Sequence, residues 1–161
     1  MKISRKVSYG AMLVALAMVF SYVESIIPIN FGIPGIKPGI ANLVTVTGLY
    51  FLTPCEVFIV LVMRIVLTGF MFGNGMSIIY SLAGGILSFI IMYILKKIKG
   101  FSIVGVSIAG GVSHNAGQIM VAALVVQNIK IVYYLPVLLI AGTITGLLIG
   151  IISMRITKQC L

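Results

Sequence analysis

Glu24, Arg64, His114, Asn115 and Gln118 interrupt long apolar runs, and Lys37, Asn42 and Asn74 stand at or near the ends of such runs. A charge at the centre of a membrane helix costs about 2.5 to 3.5 kcal/mol by insertion scales, so polar groups kept there are candidates for holding a solute. His114 and Gln118 are four positions apart and share a helical face, with Gly110 and Gly117 on the same side. Small neighbours let a ligand or another backbone approach these groups, so two readings stay open: solute binding, or hydrogen bonding to adjacent helices. Arg64 has four candidate partners: Glu56 two turns away, Glu24 across a bundle, backbone carbonyls, or a bound anion. At 1.5 Å per residue, Arg64 lies about 14 Å and Glu24 about 27 Å from the inner surface, which keeps them apart on untilted helices. No metal site is expected. His114 is the single His, no carboxylate or thiolate stands at ligand spacing from it, and Cys55 and Cys160 form no CxxC pair. No cofactor is expected either.

These residues need elements to position them, and composition says which solvent the elements face. Of the 161 residues, 61% are hydrophobic and 8% charged, against roughly a quarter charged in soluble domains. A chain this size cannot bury that much apolar surface in its own core, so the surplus faces lipid. Six transmembrane helices are expected in one integral membrane domain, at about 6–27, 38–52, 55–72, 75–95, 103–127 and 133–156. The first is read as a retained helix, because its apolar run reaches Ile27 with no small-x-small cleavage site after Phe20.

The second helix is short, rising about 23 Å, and charge decides whether it crosses. With six crossings, Lys2, Arg5, Lys6, Lys96, Lys97, Lys99, Arg155 and Lys158 lie on the cytoplasmic side, and only Lys37 and Lys130 lie outside. With five crossings the majority falls outside, against the positive-inside rule. Both termini are therefore expected in the cytoplasm, with the chain in the cell (inner) membrane. Tyrosines agree: Tyr9, Tyr50 and Tyr93 fall toward inner ends, and Tyr22, Tyr80, Tyr133 and Tyr134 toward outer ends. The net charge of +9 thus serves topology, and nucleic acid is excluded as a partner because the cations form no groove-sized patch.

Small residues mark close helix contacts. Gly142, Gly146 and Gly150 repeat every four positions, and Ser77, Ser81, Gly84 and Ser88 line one stripe of helix four; both read as packing within the chain. Ala11 and Ala15 line a stripe of helix one that either packs internally or receives a partner protein. The Gly/Pro-rich stretch Asn30–Pro38, ending Lys37-Pro38-Gly39, and the second outer loop at Asn74 suggest a lid over an outward-open pocket.

The segments GIKPGIANLVTV (Gly35–Val46) and GGVSHNAGQI (Gly110–Ile119) resemble the Gx transporter family, often labelled heptaprenyl diphosphate synthase component I. The resemblance runs over essentially the whole chain. That family is similar to the substrate-binding S components of energy-coupling-factor transporters, which have six helices and bind solute in their outer half. They dock through small residues of helix one to a transmembrane coupling subunit served by ATPases. The resemblance implies that Ala11 and Ala15 face such a subunit, and that Lys37, Asn42, His114, Asn115 and Gln118 lie near the pocket; Glu24, Arg64 and Asn74 join them on physical grounds.

The leading expectation is a substrate-binding subunit for a small anionic or zwitterionic solute, energised by a partner, since the chain has no GxxxxGK[ST] loop of its own. An accessory role in polyprenyl diphosphate synthesis is the alternative, and an oligomeric channel built on the glycine faces a third. Catalysis of prenyl transfer is not expected, because holding Mg²⁺ against diphosphate takes clustered carboxylates. The chain has no Asp, and its two Glu lie on different helices.

Overall fold

The computed structural model describes residues 3–26 and 39–160. They form α1 (Ile3–Ile26), α2 (Asn42–Phe51), α3 (Pro54–Phe72), α4 (Gly75–Lys97), α5 (Ile103–Val126) and α6 (Leu135–Cys160), with a short 3-10 helix (Ile129–Tyr134) before α6. Among the described residues there is no strand. Five of the six helices are long and apolar enough to cross a membrane; the shortest of these, α3 with 19 residues, rises about 28 Å, close to the thickness of a hydrocarbon core.

Helix α2 differs from expectation. It has 10 residues and rises about 15 Å, because Gly39 sits at φ 87°, a left-handed conformation that cannot continue a helix upstream. Its C-terminal end is set by local chemistry. Leu52 is extended, and Pro54 opens α3, which holds the preceding Thr53 extended as well. Thr53 and Glu56 then form a reciprocal capping box: Glu56 N–H donates to Thr53 Oγ1 at 3.4 Å and Thr53 N–H donates to Glu56 Oε2 at 2.9 Å.

Helices consecutive in the chain run in opposite directions. Ser88 packs on Gly110 and Gly84 on His114, making α4 and α5 antiparallel, and Gly111, Ile108 and Val104 meet Gly142, Gly146 and Gly150 in turn, making α5 and α6 antiparallel. Helix α1 runs parallel to α3, with Ala17 clustered with Val60 and the Tyr22 ring 5.1 Å from that of Phe72. The start of α1 and the end of α6 therefore share one end of the bundle with Lys96 and Lys97.

Glycine sets the tightest seams. A Cβ on Gly111 would stand 2.3 Å from the Gly142 carbonyl oxygen, and one on Gly146 or Gly150 would meet α5 backbone at 2.7 or 2.8 Å. The expected packing role of the α6 glycines holds. Ser107 and Ser88 tie the same seams, donating to the carbonyls of Gly146 and Gly110 at 2.7 and 2.8 Å. By contrast α1 packs only against α2 and α3 among the described helices, and much of its apolar side, from Val7 through Met12, Val19 and Ile26, is exposed.

Candidate functional site

The ends of α2 are capped from outside the helix. The side chain of Ala41, at its N-cap position, has no acceptor, and the amides entering the helix are met by a carboxylate from α1: Gly39 and Ile40 N–H both donate to Glu24 Oε1, the second at 3.3 Å. At the other end, Lys96 Nζ from α4 donates to the Leu49 carbonyl and lies 5.1 Å from the Tyr50 ring. An anion near the first turn and a cation near the last both complement the helix dipole. A helix too short to be stable alone is thus fastened at both ends by charged groups of its neighbours.

Beside the Glu24 contact lies a buried cavity of about 20 Å³, space for a single water molecule. Four helices and the turn before α2 contribute its walls. Ser21 and Glu24 come from α1, Gly39 from the turn, Arg64, Ile65, Thr68 and Gly69 from α3, Ser77 and Ser81 from α4, and His114 from α5. Sequence spacing explains the convergence: Ser21 and Glu24 are three apart, Arg64 and Thr68 four, Ser77 and Ser81 four, so each helix offers one polar face.

Arg64 is central. Its Nη2 donates to Asn42 Oδ1 at 3.0 Å, and the charge of Glu24 acts on the guanidinium. Glu24, Asn42, Arg64, Thr68 and His114 are all at least nine-tenths buried. The axial count from the sequence kept Glu24 and Arg64 apart; they line one cavity instead, because such a count omits helix offset and the reach of two long side chains.

Several buried polar atoms have no hydrogen-bond partner by geometry among the described residues: Arg64 Nε, His114 Nδ1, Asn115 Oδ1, and both amide atoms of Gln118. Each such atom costs about 1 to 3 kcal/mol unless something meets it. Of these residues Arg64 and His114 line the cavity, and a site that keeps such atoms is suited to a polar ligand or water.

The expected site residues are thereby sorted. Glu24, Asn42, Arg64 and His114 come together. Gln118 is fully buried one turn beyond His114, against Gly84 of α4. Asn115 turns the other way and donates through Nδ2 to the Leu138 carbonyl of α6 at 2.6 Å. Asn74 is exposed and caps α4, accepting from Ser77 N–H at 2.8 Å. Lys37, with the rest of the expected lid segment before Gly39, lies outside the described residues. Ala11 and Ala15 are exposed on α1.

Sequence reasoning did not assign Ser21 and Thr68 to the site, and it took Ser77 and Ser81 for packing. The available signal was their spacing from Glu24 and Arg64 on shared faces. Among the described residues no three His, Cys, Asp or Glu side chains gather as a metal-binding group.

Fold and cavity together define a multi-pass helical membrane protein with a buried polar site between its helices. The chain belongs to the heptaprenyl diphosphate synthase component I family, whose model matches residues 13–156. No curated protein and no solved structure matched it.

Proposed function

We propose that the chain is the substrate-binding membrane subunit of an uptake transporter for a small anionic or zwitterionic solute, energised by a partner ATPase module. The supporting observation is the cavity, where Glu24, Arg64, His114 and four hydroxyl side chains from three helices converge around space that the described residues leave partly unsatisfied. Ligand sites built this way, from facing helices with few polar groups, are the common pattern in helical membrane proteins.

In this reading the chain is one membrane domain resembling an energy-coupling-factor S component, and Lys37, Asn42, Asn74, Asn115 and Gln118 assist the site. It crosses the cell membrane six times, with α2 as the inner part of the second crossing and both termini in the cytoplasm. The alternating direction of all six helices and the Lys and Arg distribution support this. The exposed stripe of Ala11 and Ala15 on the sparsely packed α1 is the docking face for the transmembrane coupling subunit. The chain supplies neither ATP hydrolysis nor prenyl transfer.

A second reading is favoured by the family's description as a synthase component: a non-catalytic membrane accessory of polyprenyl diphosphate synthesis. The description speaks for a multi-subunit assembly under either reading. Native mass spectrometry of the chain purified in lipid nanodiscs, together with the identity of co-purifying proteins, separates the two. A retained small polar molecule and an ATPase module support the transporter. A prenyltransferase whose activity depends on this chain, with no retained solute, overturns it. Topology has its own test: a cysteine placed beside Lys97 in a cysteine-free variant should resist impermeant thiol reagents in intact cells.

A further inference from the structure

We propose that the amides of Gly39 and Ile40, together with the Arg64 guanidinium, form a carboxylate-binding subsite that Glu24 fills in the resting protein, and that a small carboxylate-bearing solute binds by taking Glu24's place. The inference rests on the reading of the cavity as a solute site and specifies its ligand.

Glu24 already demonstrates the chemistry. Its Oε1 accepts from two backbone N–H groups that lie fifteen and sixteen residues further along the chain, as a carboxylate does at the start of a helix. Asn42, Leu43 and Val44 N–H are occupied by the carbonyls of Gly39, Ile40 and Ala41, whereas the Gly39 and Ile40 amides are already turned to an anion, the Glu24 carboxylate. Gly39 is needed for the presentation. Its φ of 87° suits glycine, and a Cβ there would stand 3.3 Å from Asn42 and 3.4 Å from His114, against the cavity wall.

A second observation points to a ligand independently. Arg64 lines the same cavity; its Nε is buried with no acceptor among the described residues, while its Nη2 is held by Asn42. Arginine presents its N–H groups as a rigid fork suited to carboxylate. Ser21 of α1 and Thr68 of α3 line the same cavity.

Displacement follows from size and from packing. The space beside Glu24, about 20 Å³, suits one water, and the two amides a carboxylate would need are already held by Glu24, so binding there means taking its place. Helix α1, which carries it, packs against α2 and α3 alone among the described helices and is the least buried of the five long ones. Exchanging one carboxylate for another keeps the Arg64 charge compensated throughout, whereas an incoming cation would not.

The test is chemical rescue. In nanodiscs, Glu24→Ala should melt below the unsubstituted protein, and formate or acetate should raise its midpoint by several degrees, saturably. Sodium chloride at equal ionic strength should not, and the unsubstituted protein should respond little to either carboxylate. Adding Arg64→Gln should abolish the rescue. Equal stabilisation by chloride, no rescue at all, or rescue that survives Arg64→Gln overturns the subsite. Rescue by inorganic phosphate alone overturns its assignment to carboxylates.

If Glu24→Ala does not fold, Glu24→Gln keeps an acceptor for the two amides but removes the competing charge. It should bind ¹³C-acetate, read by NMR line broadening, at least roughly tenfold more tightly than the unsubstituted protein. Equal or weaker binding overturns the proposal. Neither readout needs a transport partner or the native solute. Failure to recover an ATPase module would leave a positive rescue standing, and failure of the rescue would leave the module's co-purification standing.

Discussion

Arg64, midway along α3, donates through Nη2 to Asn42, the first residue of α2, at 3.0 Å. That bond joins the cavity wall to the short helix whose far end is fastened by Lys96. Helix α2 is thus tied to α1 and α3 at the cavity and to α4 at the opposite end.

Removing the acceptor at Asn42 should therefore be felt along the whole of α2. Asn42→Leu leaves a second guanidinium nitrogen unpaired in a buried place, and loss of a hydrogen bond to a charged group costs about 1.5 to 3 kcal/mol. We expect a lower unfolding midpoint and faster amide exchange through residues 42–51. Asn42→Asp, which keeps the acceptor, should lose less. Equal losses in the two variants would assign Asn42 to shape alone.

The approach of α4 to α5 sets where His114 and Gln118 sit. A Cβ at Gly84 would stand 2.5 Å from the His114 carbonyl oxygen and 2.8 Å from Gln118, so Gly84→Ala must push the helices apart. Overpacking of this kind costs about 1 to 3 kcal/mol. At Gly75, in the first turn of α4, a Cβ meets open space, and Gly75→Ala is the control. A thermal melt in which both variants match the parent would remove the helix contact from the account of the site.

Much of this arrangement could be read from the residues, and the parts that could not share a physical cause. Long apolar runs specify α1, α3, α4, α5 and α6, because lipid demands helices that satisfy their own backbone. The length of α2 was not legible. Its stability comes from Glu24 and Lys96, which are remote in sequence, and Gly39 ends it upstream by a backbone angle that composition does not report. Arg64, His114 and Glu24 were identifiable from the cost of polarity in lipid, but their meeting was not, since axial counting carries no helix offset. Asn115 shows the same limit: adjacent to His114 in sequence, it faces α6 rather than the cavity.

Helix α1 has two unlike faces, one carrying Ser21 and Glu24 to the cavity and one exposing Ala11 and Ala15. If the exposed stripe is the docking face, Ala15→Leu should abolish co-purification with the ATPase module. Because Ala15 lies nine residues before Glu24, well over 10 Å along the axis, retained-solute signals in native mass spectra should be unchanged. Undiminished co-purification would exclude the stripe as the contact.

His114 and Asn115 should separate by experiment as they do in space. His114 lines the cavity and packs on Gly39 and Gly84, so His114→Ala removes a group that faces the solute and should weaken its binding severalfold, a larger effect on binding than Asn115→Ala produces. Asn115 is committed to the Leu138 carbonyl on α6. Its replacement by Ala removes a buried hydrogen bond, typically about 0.5 to 1.5 kcal/mol, and should lower the unfolding midpoint more than it alters binding. Both variants are measurable side by side from solute retained in nanodiscs and from thermal melts of the same samples. The reverse pattern, with binding lost at Asn115 and stability lost at His114, would place the solute between α5 and α6 and away from Arg64.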